Sequence, residues 1–338
     1  MNAFENISDD TVLLILDRVS DPISALIHPW FYVGAAHELF GIHNNLISIP
    51  DKTIVLNERH DTFLKEYGCR FLGEVGPAVA DRLREAKRLN DSTKKPIQTA
   101  EQIAEFVRTA SQLQEQFHIA ENHVSLTSAI NTKVTDENLI SVGELEQSFA
   151  VSDDPVIHCR EILNLHENNN IPKHEIMKLL LLFALRYEGR AVEQFQQLKE
   201  IFPEYVGIMS SITQVAGASK RGADDILAGR NRLTQLFSDI RALYTSNSKF
   251  LDQFKCQLTS IIDRVKKGQL SAEQYPFIDG KRAEFLKPKR LIVFYVGGAT
   301  YYELRAAKEA TEIDVVVGGT FVHNSSSFIQ YELQPFTK

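Results

Sequence analysis

The sequence predicts a parallel-sheet α/β domain built from both chain ends and interrupted by a large, mainly helical inserted domain with a projecting helical hairpin. Three observations carry that prediction. Apolar runs rich in β-branched and aromatic residues stand at Thr11–Leu16, Leu291–Val296 and Ile313–Val317, with little polar alternation, the pattern of parallel strands buried on both faces. The segment Thr300–Thr311 between the last two runs suits a crossover helix. From Ile97 to Lys287-Pro288 strand signals nearly vanish and helical periodicity takes over. Neither flank alone has enough strands for a stable doubly wound sheet, which favours an insertion over two independent α/β units. The expected domains are 1–90, the first half of the α/β domain; 91–286, the inserted helical domain with its hairpin at about 97–150; and 287–338, the second half.

Each element has a local reason. The run Thr11–Leu16 ends at Asp17-Arg18 and the turn signal Asp21-Pro22. A helix is expected from about Ala25 to Gly41, with Trp30, Phe31, Val33, Ala36, Leu39 and Phe40 on its apolar side and Gly41 as its stop. Short strands follow in Ile47–Leu56, broken at Pro50-Asp51, and Asp61–Tyr67 and Pro77–Leu89 read as helices. Polar Asn90–Pro96 is the first domain boundary. Beyond it, Glu101–Phe117 places Ile103, Phe106, Val107, Ala110, Leu113 and Phe117 on one narrow stripe. A second helix, Val124–Phe149, completes a hairpin. The polar face of the first helix has two readings: a merely solvated surface, which periodicity alone favours, or a docking surface for a partner helix.

Composition narrows the function. The 338 residues are 43% hydrophobic and 24% charged, with a net charge of −7, so two or three domains are expected and nucleic acid is not a partner. Cys69, Cys159 and Cys256 are far apart and form no CxxC pair, which points to reduced thiols and the cytosolic side. The first ten residues do not read as a signal peptide. The longest apolar run, Leu179–Leu185, is bracketed by Lys178 and Arg186 and falls far short of the roughly 20 residues a bilayer needs. Ten histidines give no HExxH pair and no G-x-S-x-G elbow is present, so neither metal, cofactor nor catalytic residue is expected; His37 reads as a structural residue. Gly297-Gly298 and Gly318-Gly319 complete no phosphate-binding motif and read as tight turns or close backbone approaches. The rival reading is an α/β enzyme that binds a nucleotide or sugar phosphate at these turns, with Thr300, Glu303 and His323 nearby.

The chain resembles the Sec/Munc (SM) family of syntaxin-binding regulators of vesicle fusion, in its vacuolar protein sorting branch. Four groups of residues carry the resemblance: LLILDRVSDPISALIHPWFYVGAAHELFGIHNN at 13–45; VGELEQSFA at 142–150; LLLLFALRYE at 179–188 with VKKGQLSAEQYP at 265–276; and VFYVGGATYYE followed by VVVGGTFVHNSSSF. The resemblance implies an α/β domain interrupted by a helical one whose hairpin templates SNARE helices, without catalysis. It implies syntaxin and other SNARE proteins as partners of a cytoplasmic monomer, peripheral on Golgi and endosomal membranes through SNAREs only. The SNARE-binding face would fall on Glu101–Phe149, with Glu105, Arg108, Gln112, Glu115 and Asn122 as candidate contacts chosen by position. Asp17, Arg18, Asp21 and Pro22 match the family's opening motif and are read as a polar network at the sheet edge. Two departures are Ala25, where the family has a second proline, and Ser111, where it commonly has a proline in the hairpin. Met1 lies about ten residues before the first strand of the family's second domain, so the domain that receives the syntaxin N-terminal peptide is expected to be missing. A scaffold for tethering factors is a third reading.

Overall fold

The computed structural model describes residues 11–92, 100–168, 170–221, 227, 251–278 and 288–336, the side chains of 89–92, 100–113, 150 and 151 excepted. The elements begin with β1 (Thr11–Asp17), α1 (Tyr32–Phe40), β2 (Ile42–His43), β3 (Leu46–Ile49) and β4 (Lys52–Val55). Helices follow: α2 (Thr62–Tyr67), α3 (Leu72–Ser92), α4 (Ala100–Asp136), α5 (Leu139–Val151), α6 (Pro155–His166), α7 (Lys173–Arg186), α8 (Val192–Ile201), α9 (Val206–Ala216) and α10 (Gln257–Lys267). The chain closes with β5 (Arg290–Val296), β6 (Ala299–Thr300), α11 (Tyr301–Glu309), β7 (Asp314–Gly319) and β8 (Val322–His323). Two compact units result, Met1–Pro29 with Glu137–Lys338, and Trp30–Asp136. These limits differ from the expected boundaries at 90 and 286.

The first unit holds a parallel sheet in the order β1-β5-β7, so both chain ends do build it. Leu14 pairs with Val293 and Leu16 with Tyr295, and these four are buried. The other face differs from expectation: Leu13 (58%), Ile15 (50%), Phe294 (39%) and Val316 (47%) are exposed. An unbroken apolar run fixes a strand but not whether both of its faces are covered. Helix α7 is buried from Leu179 through Leu185, apolar all round as a core helix must be. Among the described residues no helix is long and apolar enough to cross a membrane.

A polar network sits at the carboxyl ends of β1 and β5. The Arg18 guanidinium, 2% exposed, donates to Glu303 Oε1 at 2.9 Å, stands 3.8 Å from Asp21 and lies over the Tyr295 ring at 4.7 Å. Asp17 caps the turn that follows β1 through the Val19 amide. Asp21 accepts from the Ser24 hydroxyl and the Gln257 amide. Glu303 Oε2 accepts the Thr300 amide and hydroxyl, both at 2.6 Å, closing a capping box that starts α11.

The glycines divide by position. Gly297 and Gly298 have φ of 78° and 85°, and a Cβ on Gly298 would overlap the His323 ring. Gly318 and Gly319 instead lie within β7 without positive φ; a Cβ on Gly319 would meet Ala299 N at 2.9 Å and Tyr295 O at 3.0 Å, whereas one on Gly318 meets only Phe294 at 4.0 Å. Gly298→Ala is therefore expected to cost about 2 kcal/mol or more, and Gly318→Ala under about 1 kcal/mol. Paired denaturant titrations check this, and equal losses would contradict it.

In the second unit, Tyr32, Ala36, Ile47, Ile54, Phe63, Leu72, Val75, Val79, Leu126 and Ile130 share one core. Helix α1 starts at Tyr32 rather than near Ala25, because Pro29 biases His28 away from helical backbone, and it stops at Gly41 with φ 72°. Residues 100–136 form one helix of 37 residues, not two helices hinged after Phe117. Nothing in HIAENHV breaks a helix, and the break comes at Asn138, which takes a left-handed conformation with φ 49°. The backbone is helical through Ser111. The partner of α4 in a hairpin is α3, longer than expected at Leu72–Ser92 and with Pro77 inside it. Leu72 and Val75 join Leu126 and Ile130 at one end, and the link spans only 93–99, so α3 and α4 run antiparallel. Of the segment Asn90–Pro96, read from sequence as a domain boundary, residues 90–92 still belong to α3, and 93–99 lie outside the described residues.

Candidate functional site

A cleft of about 500 Å³ opens between α2, α3 and α4. Its apolar floor is Phe63, Val79, Ala86, Ile119 and Ala120, and its polar rim is Arg59, His60, Thr62, Arg82, Glu85, Glu115 and Gln116. Residues 79, 82 and 86 recur at i, i+3 and i+7, so α3 turns one face to the cleft. On α4, residues 116, 119, 120 and 123 do the same.

The inner wall is held by three side chains. His123 Nε2 lies 2.9 Å from Asp61 Oδ2, and His123 Nδ1 lies 2.8 Å from the Tyr32 hydroxyl. A carboxylate only accepts, so Nε2–H donates to Asp61, and the other ring nitrogen pairs with the Tyr32 hydroxyl. Asp61 also caps α2, accepting from the Leu64 amide at 2.9 Å. Burial pushes the Tyr32 hydroxyl well above its ordinary pKa. Although Tyr-His-Asp has the form of a proton relay, His123 is 2% exposed and both ring nitrogens are engaged. The three residues lock α1, α2 and α4 together, and Phe63 packs on His123 with ring centroids 4.6 Å apart.

Of the contacts expected from sequence, Glu115 is exposed on the cleft rim. Asn122 is half-buried and its amide oxygen accepts from Lys52 Nζ at 2.9 Å. Glu105, Arg108 and Gln112 lie on α4, but their side chains fall outside the described residues. Sequence reasoning missed Arg59, His60, Arg82 and Glu85. The signal was the spacing of Leu72, Val75, Val79 and Ala86, obscured by Gly76-Pro77.

A second cluster is fully buried in the first unit. His28, Glu146 and Glu175 bring their ligand-type atoms within 4.8 Å of one another, the set a divalent ion would use and one that no sequence spacing announced. Lys178 Nζ fills the charge requirement instead, at 3.0 Å from His28 Nδ1, 3.1 Å from Glu175 and 3.4 Å from Glu146. Two cations thus face two carboxylates. Burial works against a charged His28, but Glu146 and then Glu175 outweigh it and, despite Lys178, hold its pKa up to about 10.

The Gly-Gly turns offer no comparable space. His323 occupies the room above Gly298, Arg18 Cβ that above Gly297, and Glu303 is 0% exposed with both oxygens engaged. The enzyme reading is therefore unsupported.

A parallel α/β unit and a helical hairpin with a mixed-charge cleft define the class of the fold. A model of the Sec1 family matches residues 2–331, and the chain belongs to that family. It is 30% identical over 339 residues to Vacuolar protein sorting-associated protein 45 of Schizosaccharomyces pombe, covering 94% of this chain and 60% of that protein. The corresponding protein of Dictyostelium discoideum is 29% identical, with 95% and 59% covered. The chain thus spans about three-fifths of the length of these relatives. A solved structure described as SM Protein Vps45 in Complex with Qa SNARE Tlg2 matches with a TM-score of 0.77 at 25% identity, over 97% of this chain and 60% of that one. The Unc18-syntaxin 1 complex from Monosiga brevicollis shares the fold, with a TM-score of 0.72 at 19% identity, over 96% of this chain and 61% of that one.

Proposed function

We propose that this chain is an SM-type regulator of vesicle trafficking that binds syntaxin and other SNARE helices and promotes their assembly and membrane fusion on the Golgi-endosome-vacuole route. The observation that carries the reading is the correspondence of 97% of the chain with a Vps45 structure that holds the Qa SNARE Tlg2. The α3/α4 hairpin supports it physically, since a groove between two helices accepts the apolar ridge of a third. The protein acts as a cytoplasmic monomer without catalysis or cofactor, reaching membranes through its SNARE partners, and Glu105, Arg108, Gln112, Glu115 and Asn122 stand as its candidate contacts.

Titration of a Qa SNARE motif with the whole chain tests this. Saturable binding is expected, weakened at least tenfold, or about 1.4 kcal/mol, by the double variant Glu105→Lys with Glu115→Lys. Absence of binding by a folded chain would overturn the proposal.

A further inference from the structure

Parallel sheets ordinarily carry a layer of helices on each face, yet the β1-β5-β7 sheet buries only one, the face of Leu14, Leu16, Leu291, Val293 and Tyr295. On the opposite face strand register sets the side chains in rows. Leu13 pairs with Ile292 and Ile292 with Val316; Ile15 pairs with Phe294 and Phe294 with Gly318; Asp17 pairs with Val296. Leu13, Ile15, Phe294, Val296 and Val316 are all exposed, a contiguous apolar patch rather than scattered single residues. Gly318 leaves a notch in the second row, where an added Cβ would meet only Phe294, at 4.0 Å. Charge is unbalanced at one end of the patch. At the amino end Arg290 and Asp314 satisfy each other at 2.6 Å. At the carboxyl end Asp17 closes the third row and Glu332 stands near it. Glu332 Oε2 would lie 3.6 Å from a Cβ on Gly297, and its Oε1 is 3.5 Å from His323 Nε2. Burial and then the charge of Asp17 push the Glu332 carboxyl up, so the two carboxylates feel each other.

We propose that this face seats one amphipathic helix of a protein partner, with two apolar residues over the first and second rows and an arginine at its N-terminal end over Asp17 and Glu332. Neighbouring strands lie about 4.8 Å apart, so three strands present a floor about 10 Å across, the width of one helix. Successive rows stand about 6.6 Å apart and successive helical turns about 6 Å, so residues at i, i+4 and i+8 meet the third, second and first rows in turn. With the arginine at i the helix runs antiparallel to the strands, as a crossover helix does when it returns the chain, and its positive dipole end also falls on the carboxylates. An arginine there relieves the repulsion between two carboxylates and a glutamate adds to it, so charge decides which apolar helix is accepted. The patch belongs to the first unit and the α3/α4 hairpin to the second, so the two surfaces can be tested apart.

Two stapled helical peptides, Arg-x-x-x-Leu-x-x-x-Leu and Glu-x-x-x-Leu-x-x-x-Leu with polar residues elsewhere, are titrated into the whole chain by fluorescence anisotropy. The arginine peptide is expected to bind about tenfold tighter or more. In the double variant Asp17→Asn with Glu332→Gln that margin should fall below about threefold; asparagine keeps the oxygen that caps the turn after β1, so the fold is retained. Ile15→Lys should abolish binding of both peptides, and Val316→Lys replaces it in the test if Ile15→Lys unfolds. Equal binding of the two peptides, no binding by a folded parent chain, or a margin that survives the double variant would overturn the proposal. So would binding that ignores Ile15→Lys but is lost in Glu105→Lys with Glu115→Lys, since the peptide would then sit on the hairpin. Sedimentation of the parent chain as a dimer that Ile15→Lys makes monomeric would overturn it too, by assigning the face to a second copy.

Discussion

Replacing Lys178 with alanine is expected to destabilise the chain by about 3–5 kcal/mol, because it leaves Glu146 and Glu175 buried with one imidazolium between them. Lys178 is 0% exposed and lies within 3.4 Å of Glu146, Glu175 and His28. Denaturant unfolding of the parent and variant measures the loss, and a change below about 1 kcal/mol would show that the cluster holds no charge. The same cluster shapes the pH dependence. His28, raised to about 10, contributes stability that is complete below its ordinary value of 6.5 and is lost as pH rises through about 10. Burial opposes ionisation of Glu175, but His28 and Lys178 outweigh it and hold that carboxyl well below its usual 4.5. Its contribution is complete above that value and is lost as the solution is acidified. The contribution of this cluster to stability should therefore be largest between roughly pH 4.5 and 6.5 and decline toward pH 10. His28→Gln should flatten the alkaline decline; an unaltered slope would exclude His28 as its source.

The second large loss is expected for Arg18→Met, again about 3–5 kcal/mol. The guanidinium ties the end of β1 to the first turn of α11 through Glu303 and covers the Tyr295 ring. Burial disfavours its charge, yet Glu303 and Asp21 outweigh that penalty and raise its pKa further, so neutralisation offers no escape. Without it Glu303 is a buried carboxylate with only Thr300 as donor. The double variant Arg18→Met with Glu303→Gln should recover part of the loss, since it removes both charges together. A double variant that loses the sum of the two single losses would show that the pair does not interact.

Parts of this architecture were legible because they depend on neighbours in sequence. The runs Thr11–Leu16 and Leu291–Val296, the glycine stop of α1 and the apolar α7 follow from local composition and backbone preference. Arg18 and Asp21 are buried, as the reading of the opening motif expects, whereas Asp17 is exposed and caps the turn after β1. Other parts were not legible. Glu101–Phe117 showed an amphipathic helix but not its partner, since a stripe at 3.6-residue spacing says that a face is covered and nothing about what covers it. The structure pairs α4 with α3 rather than with the residues that follow it. The Gly-Gly repeats look alike in sequence, yet only Gly297 and Gly298 need positive φ, because only there does the chain turn instead of continuing its strand.

The sequence by itself determined a parallel sheet assembled from both chain ends, a long helical stretch between them and the resemblance to the family to which the chain belongs. Hydrophobic periodicity and short motifs are local properties, and these conclusions rest on them. Tertiary structure alone decided which charges meet. His28, Glu146, Glu175 and Lys178 span 150 positions and close into one neutral cluster. Coulombic and desolvation energies depend on distance in space and on exclusion of water, and neither can be read along the chain.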